Sequence, residues 1–203
     1  MKTVHRGIPT LLMRAFCCGL ALFLSLGLAA APATAAMSAA EKNKARSETR
    51  NMASATLNRL YKVQPSARKA IANSAGYAVF SNFGMKIFFA GGGSGSGIAV
   101  NTKSGKESFM KMVEVQAGLG IGVKKFRVVF VFEKESGLNS FITSGWELGG
   151  QATAAAKAGG VGGDLAGALS VAPGVWMYQL TDTGLAAELT AKGTKYYKDS
   201  DLN

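Results

Sequence analysis

Helical patterns of apolar residues give way at Tyr77 to short β-type runs separated by glycine. Residues 38–63, SAAEKNKARSETRNMASATLNRLYKV, contain no Gly or Pro and are rich in Ala, Lys, Arg and Glu, which predicts a helix. At 100° per residue Ala45, Thr49, Met52, Thr56, Leu60 and Val63 share one arc, flanked by Ala53 and Leu57. Much of that arc is Ala and Thr, so the helix is only weakly amphipathic. Pro65 stops it, and SARKAIANSAG predicts a shorter helix with Ser66 as N-cap and Gly76 beyond its end.

The β-type runs predict strands at Tyr77–Phe80, Met85–Ala90, Gly95–Thr102, Glu107–Met112, Val113–Val123 and Phe126–Glu133, with a turn at 103–106. FRVVFVFE is apolar on both faces apart from Arg127, the pattern of a central strand covered on both sides. Residues 134–144 predict a further helix, with Leu138, Phe141 and Ile142 on one face and Gly145 at its end. TrpGluLeu at 146–148 suits a short strand, and 149–170 is too glycine-rich for more than a partly ordered loop. A hairpin of Val175–Thr181 and Leu185–Lys192 follows, with Trp176, Tyr178 and Leu180 on one face of its first strand. The fold class is α+β: N-terminal helices, then a mostly antiparallel, glycine-rich curved sheet or barrel-like body with one further helix near 134–144.

The N-terminus changes this picture. Lys2, Arg6 and Arg14 lead into the apolar run 15–31, and the small residues of APATAA follow. That is the order of a secretory signal, with cleavage expected after Ala35 or Ala36. The run is shorter than the roughly 20 residues that span a bilayer. The expected division is a signal at 1–36, a basic helix at 37–65 and the main domain at 66–203, exported and periplasmic or envelope-associated. Cys17 and Cys18 sit at the start of the apolar run, where a lipoprotein signal would place its cysteine at the end. These two cysteines and the single histidine, His5, all lie in the leader. The expected mature chain therefore has no thiol or imidazole for Cys-His or Ser-His-Asp catalysis or for the usual zinc sites, and no cofactor is expected. Of the 23 Lys and Arg, three are in the leader, which leaves 20 against 12 acidic residues, a net +8. An exported basic protein meets anionic phospholipid or lipopolysaccharide, not nucleic acid.

The stretch AGGGSGSGIAV at 90–100 has the glycine content of a phosphate-cradling loop, but Ile98-Ala99-Val100 continues it as a strand and no Lys-Ser/Thr follows. Gly91, Gly93, Gly95 and Gly97 alternate, as do Gly118, Gly120 and Gly122, so each set bares one face of a strand. Such a face needs another backbone, a helix or an acyl chain close against it. Internal packing and a ligand-facing surface both fit. The candidate anion-contacting residues are Lys42, Arg46 and Arg50, an i, i+4 stripe on the first helix; Arg59 and Lys62, farther along it; and Lys124, Lys125 and Arg127, a compact group beside the glycine face. The carboxylates, among them Glu107, Glu114, Glu133, Glu147, Asp164 and Asp182, are scattered and form no evident catalytic pair.

The order SAGYAVF, FGMKIFFAGGGSGSGIAV, AGLGIGVKKFRVVFVFE, GLNSFITSGWELGG, GVWMYQLTDTGL and KGTKYYKDSDLN resembles the SYLF domain family, in particular its bacterial exported subgroup, from about Ser66 to Asn203. The resemblance implies a non-enzymatic lipid-binding module. Eukaryotic members bind phosphoinositides, regulate actin at endocytic sites and use a basic amphipathic N-terminal segment at membranes; Lys42, Arg46, Arg50, Arg59 and Lys62 lie in the corresponding region. Where those members carry Trp-x-x-Pro, this chain has FMKM at 109–112. That departure and the exported setting argue against actin binding and phosphoinositide specificity. The expected partner is anionic membrane lipid. Two other function classes remain: a structural or self-associating envelope-assembly protein working through its glycine faces, and a carboxylate-dependent hydrolase.

Overall fold

A computed structural model describes residues 36–87, 90–117, 122–149, 163–182, 184–185 and 193–203. Helix α1 spans Ala39–Val63 and starts on a capping box, in which the Ser38 hydroxyl accepts from the Glu41 N–H and the Glu41 carboxylate accepts from the Ser38 N–H. Helix α2 is Ser66–Ala72. Pro65, not Ser66, occupies its N-cap position, and the Ser66 hydroxyl instead accepts from Gln64 Nε2. Proline fits there because it brings no N–H that would need a partner.

Four long strands follow: β1 (Gly76–Ile87), β2 (Ala90–Asn101), β3 (Glu107–Ala117) and β4 (Gly122–Phe132). Helix α3 (Glu135–Ser144) leads to β5 (Trp146–Leu148); β6 (Leu169–Ala172), β7 (Val175–Thr181), β8 (Gly184–Leu185) and β9 (Gly193–Lys198) complete the set. The run expected at Tyr77–Phe80 and the start of that at Met85–Ala90 join in β1, because Ser81 and Asn82 are paired on both sides, to β2 and β4, whereas Ala90 opens β2. Likewise 107–117 is one strand rather than two. The turn after β2 is closed by Asn101, whose Oδ1 accepts from the N–H groups of Lys103 and Ser104, and Gly105 takes φ 67°. Gly118 and Gly120, residues 186–192 of the expected second hairpin strand and most of the 149–170 loop lie outside the described residues.

All strand pairings are antiparallel, in the order β5-β9-β3-β2-β1-β4-β7-β6, with β8 on β7. In a flat sheet β4 and β5, five steps apart, would be about 24 Å from each other. Instead the rings of Phe130 on β4 and Trp146 on β5 are 5.6 Å apart, and Tyr196 on β9 lies 5.0 Å from Phe130 and 4.8 Å from Phe80 on β1. The sheet is curled into a nearly closed, barrel-like body, and the fold is α+β. Its concave side buries Phe80, Met110, Met112, Phe130, Phe132 and Tyr196 with Leu138 and Phe141 of α3. Its convex side buries Val79, Ile98, Phe109, Val129 and Val131 against Leu60 and Ala53 of α1 and Ile71 of α2. Strand β4 is thus covered on both faces, as its sequence predicts.

Candidate functional site

The alternation that buries Val79, Ile98, Phe109 and Val129 under α1 places Ser81, Ser96, Lys111 and Arg127 on the same convex face, two residues away on each strand. Register sets these four side by side: Arg127 opposite Ser81, Ser81 opposite Ser96, and Ser96 opposite Lys111. The row runs cation, hydroxyl, hydroxyl, cation across β4, β1, β2 and β3. It floors a groove of about 740 Å³ whose helical wall includes Ala45, Thr49 and Met52, with Leu180 adding apolar surface on the strand side. Two buried hydroxyls on α1 are satisfied within the helix, Thr49 donating to the Ala45 carbonyl (2.9 Å) and Thr56 to that of Met52 (2.8 Å).

The charges in the groove are unequally compensated. Lys111 Nζ lies 3.0 Å from both Asp199 Oδ1 and Asp201 Oδ2, and hydrogen bonding to Asp199, more than to Asp201, holds its pKa above the ordinary lysine value. Asp199 is buried, whereas Asp201 is exposed. Arg59 donates to the backbone carbonyls of Thr181 and Asp182, so it is anchored without being neutralised. Arg127, half-buried on the floor, has no hydrogen-bond or ion-pair partner among the described residues. Glu48 at the rim pairs with Lys44, and Asp182 is exposed.

The other candidate cations have separate places. Arg46 donates to the Leu202 carbonyl (2.8 Å), and Arg50 pairs with Glu107 (2.8 Å); both lie over the Phe109 ring. These two tie α1 to β3 and to the C-terminal segment. Lys42 is half-buried and Lys62 exposed, neither with an ion-pair partner among the described residues. Lys124 and Lys125 are placed by backbone register, opposite Gly84 and Phe83 of β1. The glycines take the concave side: a Cβ on Gly97 would overlap the Phe80 ring, and one on Gly95 would meet the Ser81 carbonyl and Met112. Alternation sets Gly91 and Gly93 on that same side, and Gly122 lies in β4 opposite Lys86. The carboxylates serve separate contacts: Glu133 accepts from Trp176 Nε1, Glu147 pairs with Lys195 and Asp164 with Lys69. Glu114, buried inside the barrel, accepts from Asn82.

Ser81, Ser96, Lys111, Asp199 and Asp201 were not among the sequence candidates. A signal for Ser96 was present: in GGSGSG the serines occupy the positions between the alternating glycines, and so mark the opposite face of the same strand. Nothing local marks the tail aspartates, which reach Lys111 only through the β3–β9 pairing.

Residues 113–203 match the family model described as Ysc84, Las17-binding protein actin regulator. Beta cell expansion factor A of Aeromonas veronii is 34% identical over 161 residues, which is 78% of this chain. The chain belongs to the SYLF domain family. The matched region spans 59% of the length of that curated relative. SYLF membership points to lipid binding in general, and members of the family are generally lipid-binding or regulatory proteins rather than enzymes. In this SYLF protein two features lie back to back: Gly91, Gly93, Gly95 and Gly97 of β2 face the barrel interior, and the serine–cation row faces the groove under α1.

Proposed function

We propose that this SYLF protein is exported to the bacterial envelope, where it binds anionic phospholipid and catalyses no reaction. The observation that carries the reading is Arg127: half-buried and without a counter-ion among the described residues, it shares with Arg59 a groove that also has apolar walls. Holding uncompensated cations in a partly desolvated place is unfavourable unless an anion joins them. The net +8 of residues 37–203 draws the protein toward a negative surface, each basic residue near it contributing roughly 1 kcal/mol. The exposed end of α1 with Lys62, together with Lys44 and Lys42, supplies that longer-range attraction. Arg46 and Arg50 hold the helix on the sheet instead. Neither phosphoinositide nor actin is the expected partner.

The test is co-sedimentation with vesicles of phosphatidylcholine alone and with added phosphatidylglycerol, over a salt series. Binding is expected only with the anionic lipid and should weaken as salt rises. Equal, salt-insensitive binding to neutral vesicles would overturn the electrostatic reading.

A further inference from the structure

We infer that the groove under α1 is a site for one phosphoryl group carrying an apolar tail, seated at the Arg127–Ser81–Ser96–Lys111 row, and that Asp201 competes with this ligand for Lys111. The inference rests on the lipid-binding reading but goes beyond it, from attraction to a surface to capture of a single molecule.

The donors suit a tetrahedral oxyanion. A guanidinium offers a planar fork, an ammonium up to three N–H groups, and serine hydroxyls rotate to donate. Their strands are adjacent, so the backbones of Arg127 and Lys111 are about 14 Å apart, a span that two long side chains can close around one phosphate. The apolar parts of the groove, Ala45, Met52 and Leu180, continue from the row. A volume of about 740 Å³ exceeds what a bare phosphate fills and lies in the range of small-molecule sites. A phosphate with an acyl chain uses both kinds of wall; inorganic phosphate uses one.

The tail aspartates differ in what they can do. Asp199 is buried, its Oδ1 accepts from Lys111 and from the Asp201 N–H, and its own N–H donates to the Phe109 carbonyl. It is fixed. Asp201 is exposed and its side chain meets Lys111 alone among the described residues. An incoming phosphate can replace Asp201 on Lys111 while Asp199 keeps the ammonium in place. Asp201 therefore lowers affinity for the ligand.

Calorimetric titration of the purified protein tests this, using dihexanoyl phosphatidic acid below its micelle concentration, dihexanoyl phosphatidylcholine and inorganic phosphate as probes. The phosphatidic acid should bind one per chain, and inorganic phosphate at least about tenfold more weakly. Phosphatidylcholine, whose own cation opposes Arg127, should also bind more weakly. Arg127→Gln should weaken the phosphatidic acid by about tenfold, Arg127→Lys by less, and Asp201→Asn should tighten it by about two- to fivefold. The gain expected of Asp201→Asn cannot arise from misfolding, and thermal melts of all variants check the fold. Inorganic phosphate binding as tightly as the lipid would overturn the role of the apolar walls. Weaker binding by Asp201→Asn would overturn the competition. If no probe saturates while vesicle co-sedimentation persists, the groove inference fails and the surface reading stands; if both are lost, both fail.

Discussion

Gly97 has no room for a methyl group, because a Cβ there would overlap the Phe80 ring. That ring cannot step aside: it packs edge-on against Tyr196, Phe130 and Phe141, with centroids 4.8, 6.2 and 6.1 Å away. Gly97→Ala should therefore lose about 1–3 kcal/mol, read from the urea midpoint. Gly92, on the convex face, would meet only the Glu114 carbonyl at 3.5 Å, so Gly92→Ala should stay within about 0.5 kcal/mol of the parent. The contrast tests which strand face is closed. Tyr178 gives a different case. Its buried hydroxyl has no hydrogen-bond partner among the described residues, and burial, then the charge of Asp164, pushes its pKa up to about 12. The native phenol resists ionisation, so this stabilisation is fully present below the unfolded value near 10 and is lost as pH rises toward 12. Tyr178→Phe should be neutral or stabilising at pH 7. Its advantage over the parent should grow between pH 9 and 11, measured by urea unfolding at each pH.

Among the elements, α1 shows both what sequence can and cannot say. Its absence of Gly and Pro defined its extent closely, residues 38–63 expected against Ala39–Val63 observed. The arc of small residues also proved to be its buried side, with Thr49, Ala53, Thr56 and Leu60 packed on the sheet. Small residues let the helix lie close to the strands. The destinations of its arginines were not legible, since Arg46, Arg50 and Arg59 meet Leu202, Glu107 and Thr181, partners far along the chain. Strand β4 was legible for the opposite reason: residues apolar on both faces leave a strand no place but the middle. Strand β9 was missed, because GTKYYK reads as polar until Tyr196 is seen inside the barrel. The α1 cap offers a direct check. Ser38→Ala removes the capping-box hydroxyl and should cost about 1 kcal/mol, seen as a lower thermal midpoint.

At the scale of the molecule, the curled sheet separates two jobs. The concave side is filled with aromatic rings, and glycines on β2 make room for them. The convex side is covered by helices for part of its length and then opens into the groove, where Arg127 and the serines lie. If the proposed lipid site is right, recognition uses the open stretch of the convex face, so changes at Ser81 or Ser96 should alter binding more than folding. The proposed function stands or falls on whether this protein holds an anionic lipid. Native mass spectrometry of the protein purified from its native host, followed by identification of whatever it releases, answers this without any added ligand. A phosphorus-containing anionic lipid is expected, one per chain and absent from Arg127→Gln; a lipid-free protein, or one carrying only uncharged lipid, would overturn the proposal.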